Sequence, residues 1–205
     1  MTTIAAIRNK KTKETVLCHD GRLTTTTHQL CSDKANKLIK FTYFALLWCG
    51  SEHMKTLLEH KHRKLFDNIT IENEEDVLWF YQIYFDNVLN DPVAKAGDVW
   101  TERRHSADFI IVTPTDVYGI NTLWEFTDAD LSQTKYSDDL ILYTNWSGWD
   151  VTRDYIEWYL HNTEIDEFTP EIMADILKAW AEYAGRRIVS CNSNITLYKA
   201  RDLFL

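Results

Sequence analysis

The amino-acid sequence predicts an α+β protein, a four-layer αββα sandwich in which two antiparallel sheets lie face to face and a helix pair covers each sheet. Predicted strands come in consecutive groups, and predicted helices come as consecutive pairs. The two kinds do not alternate, as they would around a parallel doubly wound sheet. Residues 1–205 contain no repeat, no low-complexity tract and no clear linker, so we expect a single domain.

The strands are predicted from β-branched and apolar runs bounded by turn residues. Asn9–Lys13 is the first turn, and Asp20-Gly21 ends the strand that follows it. The unbroken apolar run Phe44–Trp48 is typical of a strand covered on both faces. Asp128–Asp139 is predicted to be a polar loop. The predicted strands are 3–8, 14–20, 24–27, 35–39, 43–49, 109–112, 117–120, 123–126, 140–144, 188–191 and 195–198.

The helices are predicted from capping residues followed by apolar residues at a 3.6-residue period. Ser51 caps the first helix and Asn73 begins the second, which Asn90-Asp91-Pro92 ends. Residues 91–106 form a polar connection. Ser147 opens a third helix at about 149–162, and Thr169-Pro170 opens a fourth, which Gly185 ends. The expected buried stripes are Met54, Leu57, Leu58 and Leu65; Val77, Phe80, Tyr81, Tyr84 and Val88; and Met173, Ile176, Leu177, Trp180, Ala181 and Ala184.

Composition excludes several function classes. The net charge is −9 in 205 residues, which argues against general nucleic-acid binding. The sequence has no apolar run long enough for a membrane span and no N-terminal secretion signal, so we expect a cytoplasmic protein without membrane contact. The four cysteines show no CxxC spacing, and we expect free buried thiols. No phosphate-binding glycine motif occurs, and we expect no cofactor.

Two clusters of charged side chains allow two interpretations each. Lys10-Lys11-Lys13 is either the solvated tip of a hairpin or a phosphate site, and the first interpretation is favoured. His53 and His60 lie on one helical face with His62 nearby, a spacing that could hold a metal. No further ligand completes a four-ligand set, so the solvated end of a helix is favoured and we expect no metal.

The start of the chain contains a candidate nucleophile. Met1 is followed by Thr2, and a small second residue permits removal of the initiator methionine. Thr2 would then carry both a hydroxyl and a free α-amine with a reference pKa near 8. The amine can accept the proton of the hydroxyl of the same residue, which activates that oxygen for attack on a carbonyl. If Met1 is retained, the amine is blocked.

Several short stretches, in this order and spacing, resemble the proteasome β-subunits and the bacterial HslV peptidase, within the N-terminal-nucleophile hydrolases. The resemblance runs from Thr2 to about Tyr198. This sequence has no Asp near the last helix. Proteasome subunits carry an Asp there, and HslV lacks it. The matching stretches are Thr2-Thr3-Ile4, Asp20–Thr24, Asn36–Ile39, Cys49–Ser51, Ser106–Phe109, Asn145–Gly148 and Ala184–Asn192.

This resemblance implies roles for individual residues. Thr2 would be the nucleophile, and Asp20 and Lys37 would be the charged pair beneath it. The backbone N–H of Gly50 would bind the oxyanion, and Ser147 would assist the α-amine. These types suit the chemistry, because a nearby ammonium favours a developing alkoxide and a glycine allows close approach of the backbone. Two further positions, Thr24 and Trp48, would contact the substrate.

The resemblance also implies partners. We expect a homo-oligomeric ring, a peptide or protein substrate and an ATPase that feeds unfolded protein. The position of Trp48 predicts a shallow pocket that prefers small side chains. Two alternatives remain open: a non-catalytic scaffold or assembly protein of the same fold, and an amidase that acts on a small molecule.

Overall fold

The computed structural model describes residues 4–24, 29–92, 107–122, 129–131, 134–135, 139–145, 149–188, 191 and 193–205. Strands and helices are numbered in chain order. The strands are β1 (Ile4–Asn9), β2 (Glu14–Asp20), β3 (Leu23–Thr24), β4 (Leu30–Ser32), β5 (Leu38–Lys40), β6 (Ala45–Gly50), β7 (Ala107–Val112), β8 (Val117–Thr122), β9 (Ala129–Leu131), β10 (Thr134–Lys135), β11 (Leu140–Asn145) and β12 (Ile195–Lys199).

Two antiparallel sheets form the centre of the molecule. The first has the strand order β10-β11-β1-β2-β12, and the second has the order β5-β6-β7-β8-β9. A short ribbon pairs β3 with β4. In the first sheet β1 lies between β2 and β11, so that Ile4 is opposite both His19 and Asn145. The start of the chain is therefore built into the middle of a sheet.

Three hydrophobic clusters separate four layers, because alternate residues of a strand face opposite sides of its sheet. Ile4 and Ala6 of β1 join Leu47 of β6 in the cluster between the sheets. Ala5 and Ile7 point the other way, into the cluster beneath the C-terminal helices. On the second sheet, Leu46 and Trp48 face the helices between β6 and β7. The predicted αββα sandwich is confirmed.

The first helical layer lies between β6 and β7. It consists of α1 (Glu52–Thr56), a π-helical turn (Leu57–Lys61), α2 (Arg63–Phe66), α3 (Glu74–Tyr84) and a second π-helical turn (Phe85–Leu89). Ser51 precedes α1 but makes no side-chain capping bond. Asn73 and Asp76 form a reciprocal capping box at the start of α3. The stripe predicted for α3 is buried, whereas Leu65 of the first predicted helix is exposed.

The second helical layer consists of α4 (Trp149–Asn162) and α5 (Pro170–Arg187). The Thr169 side chain accepts a hydrogen bond from the N–H of Ile172 at 3.3 Å and so caps α5. The predicted stripe of α5 is buried from Met173 to Ala184. Across the described part of the chain, no helix is both long and apolar enough to span a membrane.

Several predictions of local structure are wrong. Helix α5 continues through Gly185 to Arg187, since its buried stripe outweighs the weak helix propensity of one glycine. Ile188 and Cys191 are not in a strand. The loop predicted for Asp128–Asp139 contains β9 and β10, which pair with β8 and β11. The strand predicted at 123–126, most of the connection 91–106 and the cap Ser147 lie outside the described residues.

Candidate active site

Asp20 and Lys37 form a buried ion pair. The Lys37 Nζ donates a hydrogen bond to the Asp20 Oδ1, and the two side chains are 3% and 0% exposed. Asp20 is the last residue of β2, where its backbone is paired with Ile195 of β12. Lys37 comes directly before β5, and its carbonyl accepts a hydrogen bond from the N–H of Trp48 at 2.8 Å. The backbone of each partner is thus fixed by a sheet.

The charge of Lys37 is sensitive to this environment. Burial lowers its pKa from 10.5, because an ammonium loses hydration there, while the Asp20 carboxylate acts in the opposite direction. An ammonium has three N–H donors. Among the described residues Asp20 is the hydrogen-bond partner of Lys37, so the cation retains donor capacity for a further group.

A tight turn connects Asp20 to β3. The N–H of Gly21 donates to the carbonyl of Asn194 at 3.0 Å. A Cβ on Gly21 would lie 2.3 Å from the Asp33 carbonyl oxygen, a distance that no side chain tolerates. The turn therefore requires glycine at this position. Arg22 completes the turn by donating to the Asp33 Oδ1 at 2.8 Å.

His19 lies next to Asp20 and is held by hydrogen bonds at both ring nitrogens. The Nδ1 atom is 3.0 Å from the Asp20 carbonyl oxygen, and the Nε2 atom is 3.2 Å from the Tyr198 hydroxyl. Burial lowers the pKa of His19 and the positive charge of Lys37 adds to this, while the Asp20 carbonyl, the Asp20 carboxylate and Asn36 oppose it. We did not predict these contacts, since His19 and Tyr198 are far apart in sequence and a lone histidine in an apolar strand carries no signal.

Two cysteine thiols near the ion pair are held in the protonated form. Burial raises the pKa of Cys49 to about 12 and raises that of Cys18 well above its ordinary value, so neither is a thiolate near pH 7. All four cysteines are free as predicted. Cys18 and Cys191 are buried as expected, whereas Cys49 is partly buried and Cys31 is exposed.

Gly50 ends β6 directly before the capping position of α1. Its φ of 156° lies in a region that L-residues rarely adopt, so a glycine is favoured there. The register pairs Gly50 with Ala107 and Cys49 with Asp108. Through this strand Gly50 follows Trp48 by two residues, and the Trp48 backbone in turn binds Lys37. Thus Asp20 is linked to Lys37 by a side-chain ion pair, and Lys37 is linked to the strand that ends at Gly50 by a backbone hydrogen bond.

The two predicted substrate contacts have different surroundings. Thr24 is half-buried in β3 and is paired with Leu30 of β4. Trp48 is 2% exposed and packs edge to face against Tyr84 and at a tilt against Phe109. Its indole N–H has no hydrogen-bond partner in the part of the chain that the structure describes. The helix side of β6 is thus filled by a large ring at this point.

Thr2 and Ser147, the remaining predicted site residues, lie outside the described residues. The described part of the chain has no cluster of His, Cys, Asp and Glu side chains that could hold a metal ion. His53 and His60 are exposed. His62 instead bonds to Asp91, with its Nε2 2.8 Å from the Asp91 Oδ2. At the other predicted charge cluster, Lys11 pairs with Asp166 across the surface.

Known proteins resemble this chain in structure and not in sequence. No protein-family model and no curated protein matches it. Eukaryotic HslV from Trypanosoma brucei superposes with a TM-score of 0.60 at 14% identity, covering 97% of this chain and 98% of HslV. Thiobacillus denitrificans BPH superposes with a TM-score of 0.70 at 13% identity, covering 97% of each chain. BPH in complex with epoxomicin gives 0.70 at 12% identity, again covering 97% of each chain. This chain therefore has the αββα fold of HslV and BPH.

Proposed function

We propose that this protein is a threonine peptidase that uses Thr2 as its nucleophile after removal of Met1. The observation that carries the proposal is the buried Asp20–Lys37 ion pair, which lies at the end of β2 beside the start of β1. Burying two charges is costly unless they are well paired, and such a pair adds little to stability compared with apolar residues. A lysine with remaining donor capacity at this place is better explained by chemistry than by stability.

The pairing register of the first sheet supports a position for Thr2 and Ser147 near the Asp20–Lys37 pair. Ile4 is opposite His19, the neighbour of Asp20, on one side and Asn145 on the other. Thr2 precedes Ile4 by two residues, and Ser147 follows Asn145 by two residues. Two residues of extended chain span at most about 7 Å. Thr2 and Ser147 are therefore each connected to these neighbouring strand ends by a segment no longer than that.

The proposed reaction proceeds through an ester. The α-amine of Thr2 accepts the proton of the Thr2 hydroxyl, and that oxygen attacks the substrate carbonyl. Lys37 stabilises the charge that develops on the attacking oxygen, and the N–H of Gly50 donates to the oxyanion. The leaving amine takes up the proton, and water then hydrolyses the ester and frees Thr2. Ser147 assists the amine, and Asp20 holds Lys37 in position.

We further propose a substrate and an assembly. Thr24 and Trp48 contact the peptide, and the buried ring of Trp48 leaves a shallow pocket for small side chains.

The chain assembles as a homo-oligomeric ring in the cytoplasm, where an ATPase supplies unfolded protein. Free thiols at all four cysteines suit a reducing compartment. Trp79 and Trp158 are 55% and 60% exposed on helices, as expected for contacts between subunits.

The test is labelling of the purified protein by an epoxyketone such as epoxomicin, read by mass spectrometry of the intact chain and of its N-terminal peptide. We expect loss of Met1 and one adduct, on Thr2. Thr2→Ala should abolish the adduct. Thr3→Ala is the matched control, because it makes the same change at the next residue and should leave labelling unchanged.

Retention of Met1 with no labelling would overturn the proposal in favour of the scaffold of the same fold. Labelling of Thr2 without cleavage of any peptide would favour the small-molecule amidase. A panel of peptides that differ only in the residue before the cleaved bond tests the pocket. Equal cleavage after alanine and after phenylalanine would contradict the role of Trp48.

A further inference from the structure

We infer that His19 and Tyr198 are positioning residues that hold the Asp20 backbone, and with it the Asp20–Lys37 pair, in place for the reaction. The inference rests on the proposed function and deepens it. It starts from the hydrogen bonds of one buried imidazole, whose side chain is 2% exposed and whose two nitrogens face groups of different kinds.

The partners fix the tautomer of His19. A backbone carbonyl only accepts, so the Nδ1 atom, 3.0 Å from the Asp20 oxygen, must carry the hydrogen. In the neutral ring the Nε2 atom is then an acceptor. The Tyr198 hydroxyl, 3.2 Å away, donates to it. The result is a directed chain of hydrogen bonds from the Tyr198 hydroxyl through the imidazole to the Asp20 carbonyl.

This chain of bonds ties the end of β2 to β12 through side chains. The backbone ladder pairs Thr196 with His19 and Ile195 with Asp20, and beyond it the Gly21 N–H still donates to the Asn194 carbonyl. The Asp20 carbonyl belongs to the same peptide group as this Gly21 N–H. The bond from His19 therefore adds a side-chain contact to the peptide that follows the Asp20 side chain, at the point where β2 ends and the turn begins.

The surroundings keep His19 neutral. Lys37 and Asp20 face the ring from the ion pair, Asn36 approaches it from the segment before β5, and Tyr198 approaches it from β12. A polar cavity of about 420 Å³ opens beside the ring, with Asp33 and Lys34 in its wall. An imidazolium here would place a second positive charge near Lys37. The neutral ring avoids this repulsion and donates from Nδ1 to the Asp20 carbonyl.

The experiment compares two amide replacements of the ring. Asparagine places its N–H₂ near the position of Nδ1, whereas glutamine places it near that of Nε2. We expect His19→Asn to keep kcat within a few-fold of the parent. His19→Gln should lower kcat by about 10- to 100-fold with KM unchanged, because the reacting groups shift while substrate contacts remain. A purely structural role would lower the amount of folded protein for both variants alike.

Tyrosine variants and a spectroscopic measurement complete the test. Tyr198→Phe should lower kcat, whereas Tyr143→Phe should not, since the buried Tyr143 hydroxyl has no hydrogen-bond partner among the described residues. Nitrogen NMR of the parent should show the neutral Nδ1–H tautomer of His19 at pH 7. The Nε2–H tautomer, or equal rates for His19→Asn and His19→Gln, would overturn the inference. Failure of the proposed function would appear differently, as a parent protein that epoxyketones do not label.

Discussion

Two buried cations lie at opposite ends of the β1–β2 hairpin, and their surroundings differ. Arg8 is near the turn, where its Nη1 donates to the Thr15 hydroxyl at 2.8 Å and to the Lys13 carbonyl at 3.4 Å. Its Nη2 donates to the Thr115 carbonyl, and its Nε is 3.2 Å from the Asp116 Oδ1. The two terminal nitrogens of the guanidinium thus donate hydrogen bonds to β2, to the β1–β2 turn and to the turn between β7 and β8, and Nε faces Asp116 as an ion pair without a hydrogen bond.

At the other end Lys37 has one carboxylate as its hydrogen-bond partner among the described residues and retains donor capacity. The two cations differ in the number of separate segments of the chain that they contact. A cation that binds several segments at once fixes them to one another, and Arg8 joins β1, β2 and the turn between β7 and β8. Lys37 binds one carboxylate and can therefore act on a group that arrives later.

The largest effect is expected from removal of the Lys37 charge. Lys37→Ala should lower the rate of peptide cleavage by a factor on the order of 10²–10³, because it removes the charge that stabilises the attacking oxygen. Lys55→Ala is the matched control, since Lys55 is also buried but is paired with Glu52 and Glu59 at 3.3 Å on the far side of β6. Cleavage rates normalised to folded protein provide the measurement.

Loss of Lys37 also leaves the Asp20 carboxylate buried without its cation, which can unfold the protein. The double variant Asp20→Asn with Lys37→Met removes both charges and should restore stability without restoring activity. A double variant that cleaves at the parent rate would show that the ion pair has no part in the reaction.

The second effect is on stability and concerns Arg8, the cation that joins several segments. Arg8→Met should lower the free energy of unfolding by about 3 kcal/mol, the lower end for breaking a buried pair, because Asp116 is partly exposed. Arg201→Met should change it by less than about 0.5 kcal/mol, since Arg201 is exposed in its pair with Glu14. Urea denaturation measures both. Activity per folded molecule should stay at the parent level in Arg8→Met. A large drop in that activity would contradict the purely structural role of Arg8.

The smallest effect is a pH dependence at the Lys37 end. The pKa of His19 in the folded protein is below its ordinary value of 6.5, so unfolding takes up a proton between these two values. The contribution of neutral His19 to stability is therefore fully present above about pH 6.5 and is lost as the pH falls through the folded-state pKa.

The measurement is the free energy of unfolding of the parent and of His19→Asn between pH 5 and 8. Their difference should change in this window by no more than about 1.4 kcal/mol per pH unit, the limit for one proton. Below pH 6.5 the parent should lose stability faster than His19→Asn. Parallel curves would mean that His19 titrates as it does in the unfolded chain.

Elements with both a cap and a periodic stripe could be predicted from the sequence. Helix α3 has its capping box at Asn73, and α5 has Thr169 and Pro170 before its stripe. The π-helical turns and the short strands β9 and β10 could not be predicted, since their backbone is decided by tertiary contacts and not by local preference. The helix end predicted at Gly185 is wrong for the same reason, because tertiary packing carries α5 on to Arg187.

Some residues of the candidate site could likewise be predicted from the sequence, and others could not. The sequence predicted Asp20 at the end of a strand and Lys37 within the strand 35–39, whereas Lys37 directly precedes β5. The resemblance to proteasome subunits suggested their pairing, which the structure contains. His19 and Tyr198 could not be linked in this way. They meet because β12 lies beside β2, and this neighbourhood is a property of the sheet order. No local pattern in either segment reports it.

The central place of the β1–β2 hairpin has a consequence for biosynthesis. Residues 4–20 are synthesised long before the strands that cover both outer edges of the hairpin, β11 on one side and β12 on the other. During translation these apolar edges stay open and can pair with other nascent chains. Because the closing contacts are so distant in sequence, this sheet is completed slowly and only after β12 (Ile195–Lys199) has been synthesised.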